Sequence, residues 1–128
     1  MKGMDVLNTS TDLLYSLEQV KAGRPVDGEE LAVRLGLGQD LLTRLLDAAS
    51  SQTSKTARHD LFMLTIAEQV EKKLALRPSE LQLRLRQAVK DLQNQQPTPA
   101  TVQILETVTD VVAGITLRSV EGLSTSLL

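Results

Sequence analysis

Asp27-Gly28-Glu29-Glu30-Leu31-Ala32-Val33-Arg34-Leu35-Gly36-Leu37-Gly38 runs directly into Gln39-Asp40-Leu41-Leu42-Thr43-Arg44-Leu45-Leu46-Asp47-Ala48-Ala49. The fold depends on how this stretch is read. Asp27 can cap a helix, and Glu30 three residues on can reach back to it, as in a capping box. A short helix through Leu35 follows. Gly36-Leu37-Gly38 reads as a turn, because glycine takes left-handed backbone angles that other residues resist. A second helix runs from about Gln39 to Ala49, with Leu41, Leu42, Leu45 and Leu46 inward. The adjacent Glu29 and Glu30 point to different sides of a helix. They match the helix dipole and cannot serve as a paired acid and base.

On the N-terminal side, Val6, Leu7, Ser10, Leu13, Leu14, Leu17 and Val20 recur at helical spacing, ended by Gly23 and Pro25. On the C-terminal side, residues 50–56 are polar and read as a linker between lobes. A helix beginning near Thr56 or Ala57 carries Phe62, Ile66, Val70 and Leu74, widened by Leu61 and Ala67, and Arg77-Pro78-Ser79 breaks it. The next helix carries Leu81, Leu85, Ala88, Val89 and Leu92. After a second break, Thr98 as cap and Pro99 in the first turn mark a strong helix start. The last element carries Leu105, Val108, Val112 and Ile115 on one stripe, with Ile104 and Val111 beside it. Its Val, Thr and Ile content favours strand, but its length of about 20 residues without a turn signal favours helix. Residues 122–128 are expected to fray. The fold class is therefore all-α with five or six helices: an N-terminal lobe over 5–50, and a helical bundle or hairpin over 56–120.

Composition removes whole classes of function. The 128 residues contain no cysteine, no tryptophan and one histidine, with 14 basic and 16 acidic residues, net charge −2 and pI near 5.4. A thiolate nucleophile, a disulfide framework and a Cys/His zinc site are excluded. No Asp/Glu cluster has ligand spacing, and no phosphate-cradling glycine loop is present. His59, beside Asp60, reads as a surface or capping residue. Tyr15 reads as partly packed, and with Phe62 it is one of only two aromatic rings, too few for a base-stacking platform. No apolar run approaches the roughly 20 residues of a membrane span, and the first residues lack a signal-peptide core. The expectation is a cytoplasmic, non-enzymatic protein without cofactor or metal.

Leu31-Ala32, Leu35-Gly36-Leu37, Leu42 and Leu45 together resemble the helix-turn-helix of DNA-binding domains. The match is at superfamily level and spans residues 27–49, about a fifth of the chain. The resemblance implies that Ala32 is buried where two helices cross and that Gly36 has positive φ. It also implies that the five leucines at 31, 35, 37, 42 and 45 form a small core. The second helix would then be the reading helix, presenting Gln39, Asp40, Thr43, Arg44 and Asp47. Gln39 and Arg44 suit adenine and guanine edges, respectively.

Charge pulls against that reading. Residues 26–50 contain two basic and five acidic residues, a local charge of −3, whereas phosphate contacts dominate DNA affinity. Residues 51–95 are net +3, and Arg86 and Lys90 share a helix face there. The cluster at Lys72, Lys73 and Arg77 fits a helix C-terminus on dipole grounds alone. Two functions follow from the sequence. The first is a small regulator contacting double-stranded DNA through Gln39, Thr43, Arg44, Arg86 and Lys90. The second is a helical protein–protein interaction module: an adaptor, a secretion-type chaperone or a subunit of a larger assembly. In the first, Leu105, Val108, Val112 and Ile115 form a homodimer interface, because the last helix is apolar on more sides than one neighbour covers.

Overall fold

The computed structural model describes residues 2–50 and 61–127, with side-chain surroundings given for 6–50 and 61–115. The expected linker, the start of the third helix and His59 fall within 51–60, outside the described residues. The chain folds as α1 (Lys2–Lys21), α2 (Gly28–Ser50), α3 (Leu61–Leu74), α4 (Pro78–Gln93) and α5 (Pro99–Leu127), and the described residues contain no strand. The all-α class is as the periodicities indicate. The frayed end expected over 122–128 is instead the last part of α5, which continues to Leu127.

The turn expected at Gly36-Leu37-Gly38 is absent. Residues 28–50 form one uninterrupted helix, and Gly23 is the only glycine with positive φ among the described residues. Ala32 and Leu37, which a helix-turn-helix would bury, are exposed. The reason lies in the row Leu35, Gly38, Leu42, Leu45 and Ala49, all buried. Its three- and four-residue spacing passes through the glycines without a phase break, as one continuous helix face requires. Two interior glycines cost a helix about 1 kcal/mol each. Burying this row against α1 and α4 outweighs that.

Gly38 is where three helices meet. A Cβ there would overlap the Leu13 side chain of α1 and lie 3.4 Å from Leu92 Cδ1 of α4. At the other end of α2, Gln82 Nε2 donates to the Ala49 carbonyl at 3.4 Å. These pairings run in opposite chain directions, so α2 and α4 are antiparallel neighbours. Arg34 ties α2 to α1: its Nη1 donates to the Asp12 carbonyl at 3.3 Å, while Nη2 pairs with Glu30 one turn away. Glu30 is thus committed to Arg34 and does not complete a capping box. Asp27 caps alone, accepting the Glu29 N–H at 3.1 Å.

α5 packs on α1, α3 and α4, and α2 packs on the same three helices. A single buried cluster draws on all five helices, so the elements assigned to two lobes share one core. Ile66 and Val70 of α3 are fully buried, as expected. Met63 joins them, while Leu61 at the helix start is 76% exposed. In α5, Val102, Ile104, Leu105, Val108, Val111 and Val112 are all buried. The expected dimer surface is therefore not a surface. Leu105, Val108 and Val112 each have no exposed area, and Ile115 is half-buried. Its wide apolar circumference is met by three helices of the same chain. The Thr107 and Thr109 hydroxyls are satisfied inside the helix, donating to the Gln103 and Leu105 carbonyls one turn back, each at 2.8 Å.

Each of the three tight connections closes by the same device. After α1, Arg24 N–H bonds the Gln19 carbonyl and Gly23 N–H the Val20 carbonyl. After α3, Leu76 bonds Glu71 and Ala75 bonds Lys72. After α4, Gln96 bonds Asp91 and Gln95 bonds Leu92. This paired pattern is the Schellman motif, whose pivot residue takes left-handed angles. Gly23 does so at φ 72°, Ala75 at 52° and Gln95 at 57°.

Candidate functional site

The α2–α4 seam carries an open groove of about 380 Å³, lined by Leu46 of α2 and by Leu83, Arg86, Gln87, Val89 and Lys90 of α4. α4 forms because Pro78 fits its first turn and the Glu80 carboxylate accepts the Arg77 N–H at 3.2 Å. Its core stripe is Leu81, Leu85, Ala88 and Leu92. Leu83 lies off that stripe and is 63% exposed. Val89, read from the sequence as a core position, is half-buried on the groove side.

On α2, the half-buried Gln39, Thr43 and Leu46 follow one another at four- and three-residue spacing, and so form one row. The Thr43 hydroxyl donates to the Gln39 carbonyl at 2.8 Å, inside its own helix. Arg44 is exposed but sits about 100° further round α2 than Thr43. The five residues expected to contact DNA, three of them on the expected reading helix, therefore do not share one face. Gln39 and Thr43 lie in the Leu46 row, Arg86 and Lys90 line the groove from α4, and Arg44 stands apart.

The electrostatics of the two walls differ. Among the described residues, the ion pairs involve Arg34 with Glu30 and Asp12, and Arg77 with Glu80. None involves Arg86 or Lys90. Asp91, next to Lys90 in sequence, is committed elsewhere. It accepts Gln87 Nε2 at 2.9 Å and the Thr101 hydroxyl at 2.9 Å. The exposed charges that follow the Gln39, Thr43 and Leu46 row on α2 are Asp40, Arg44 and Asp47. The groove thus joins an apolar patch of Leu46, Leu83 and Val89 to two uncommitted cations on α4, with charges of both signs further round α2.

A second depression, about 230 Å³, opens between α1 and the start of α2, lined by Tyr15, Ser16, Gln19, Asp27, Glu30 and Arg34 among others. Tyr15, expected to be partly packed, is 61% exposed there. Its one cation, Arg34, is already held by Glu30 and Asp12. On α3, burial pushes the Glu71 carboxyl above its ordinary range, and the nearby Glu68 charge adds to the shift. Glu71 Oε1 is buried without a hydrogen-bond partner. The described residues hold no cluster of three or more metal-ligating side chains, and no helix among them is long and apolar enough to cross a membrane.

The sequence places Arg86 and Lys90 on one helix face but does not show Leu46 and Leu83 beside them. The signal was present in Leu83, a leucine between two positions of a helix stripe it does not belong to. No family model, curated protein or solved structure matches this chain.

Proposed function

We propose that this chain is a non-enzymatic helical protein–protein interaction module whose contact surface is the α2–α4 groove. The observation that carries this reading is Leu83. It is 63% exposed, beside Leu46 and Val89, and bordered by two cations that make no ion pair among the described residues. Exposed apolar side chains gathered in a concave, polar-rimmed patch mark interaction surfaces. A regulator that reads DNA is the weaker reading. Its reading helix would need a turn at Gly36, and α2 has none. The charge that remains for phosphate flanks an apolar patch.

The test is a photo-crosslinking side chain placed at position 83 of the full chain in its native cell. The expected product is a discrete protein adduct that survives nuclease, with no equivalent adduct from position 24 on the α1–α2 loop. Loss of the adduct on nuclease treatment, or salt-sensitive retention of duplex DNA by the purified chain, would return the regulator to first place.

A further inference from the structure

Resting on that reading, we infer that the occupant of the α2–α4 groove is an amphipathic helix of a partner protein, with acidic residues along the flank that lies over α4. The shape of the site selects a helix. Leu83, Arg86, Gln87 and Lys90 recur over two turns on the outward face of α4, opposite its buried stripe, and Val89 and Leu46 continue that surface toward α2. Helix-in-groove recognition places anchors at that same spacing, whereas strand addition needs a sheet edge, which the described residues do not offer.

Charge selects the sign. Arg86 and Lys90 face the groove with no carboxylate paired to them among the described residues. Asp91 is turned to Gln87 and Thr101. A ligand carboxylate over α4 would gain charge-assisted hydrogen bonds. Over α2 it would find Arg44 between Asp40 and Asp47, a site with no net positive charge. The acidic flank therefore lies over Arg86 and Lys90, and the apolar stripe beside it covers Leu46, Leu83 and Val89.

A second copy of this chain fits less well. Its exposed apolar pair on α2, Val33 and Leu37, sits on a helix already held by α1, α3 and α4. Such a helix presents one narrow face, and a buried groove ligand needs its apolar stripe and both flanks free.

The experiment uses the full chain and three synthetic helical peptides of equal length. One has a leucine stripe and a glutamate flank, the second carries lysine in place of each glutamate, and the third has a central proline in the glutamate version. Binding is followed by amide chemical shifts. The glutamate peptide is expected to bind at least about tenfold more tightly than the other two, to weaken with salt, and to shift residues around Leu46, Leu83 and Val89. Reversing both cations, Arg86→Glu with Lys90→Glu, should invert the preference to the lysine peptide. Both sites are exposed, and an unchanged melting curve certifies the fold. Leu83→Ser should weaken both peptides without changing their order.

Equal binding of the two charged peptides would overturn the acidic flank. Shifts confined to Val33 and Leu37, or self-association detected by sedimentation without peptide, would overturn the occupant. If no peptide binds while position 83 still crosslinks a protein in cells, this inference fails and the interaction module stands. If position 83 crosslinks nothing either, both fail.

Discussion

Gly38 of α2 and Leu13 of α1 stand so close that a single methyl group on the glycine would overlap the leucine side chain. Gly36, two residues earlier in the same helix, has nothing within 4 Å of the equivalent position. The two glycines should therefore respond in opposite directions. Gly36→Ala gains helix propensity with no steric cost and should stabilise by up to about 1 kcal/mol. Gly38→Ala must displace a wholly buried leucine, and overpacking of this kind costs about 1–3 kcal/mol. Urea denaturation of both variants measures the difference. Combining Gly38→Ala with Leu13→Ala should cost less than the sum of the two, because the smaller side chain makes room for the methyl. Additive losses would show that the two residues do not share the space.

The same pair shows what the sequence offered and what it hid. The row from Leu35 to Ala49 was legible as apolar spacing, but Gly38 was invisible as a member of it. Glycine carries no side chain to mark a face, and its conformational freedom suggests a turn before a crossing point. Proline and threonine were less ambiguous. Pro78, Thr98 and Pro99 start helices as their chemistry dictates. The α5 stripe was found, but not its neighbours. Which of α1, α3 or a second chain covers Val108 depends on packing between distant segments, and periodicity within one segment does not carry it. At the groove, Arg86 and Lys90 were legible as charge. The apolar patch beside them needed Leu46 and Leu83 brought together from different helices.

Ala75 and Gln95 hold left-handed angles at the ends of α3 and α4, where Gly23 does the same job after α1. A side chain in that region costs roughly 1–2 kcal/mol. Ala75→Gly and Gln95→Gly should each stabilise by up to about 1 kcal/mol, the unfolded-state entropy of glycine offsetting part of the relief. The two ends are far apart in sequence and their gains should add. Thermal melts of the single and double variants check this.

Glu71 makes stability fall as pH rises. Its carboxyl is pushed above the ordinary value of 4.5 in the fold, mainly by burial. Between that ordinary value and the raised one, the folded state binds more protons than the unfolded state. Stability therefore declines across this window and the full penalty is present above it. Glu71→Gln should be more stable than the parent at neutral pH, and the advantage should vanish below the ordinary glutamate range. Denaturation midpoints at acidic and neutral pH measure it, and a gain independent of pH would assign the effect to something other than titration.

Asp91 joins the end of α4 to the start of α5. It accepts from Thr101, whose side chain is fully buried, and from Thr98, the residue before Pro99. Asp91→Ala leaves the Thr101 hydroxyl short of its acceptor and should cost about 1–3 kcal/mol. Asp91→Asn keeps one acceptor oxygen and should cost less. Amide exchange in the first turn of α5 should accelerate in the alanine variant before exchange in α2 does.

The pairing of α1 with α5 has a consequence for synthesis. α1 emerges first of the five helices, and a principal partner of its apolar face begins only at Pro99. At about 5–20 residues per second, Leu13 and Leu17 wait several seconds for the helix that helps to cover them. Until then the nascent chain holds an α1–α2 hairpin with one apolar side open. Closure of the bundle is a late event that joins the two most distant elements of the fold. A ribosome stalled within α5 should therefore display a chain that proteases cut within α1, and the release of that chain should protect it.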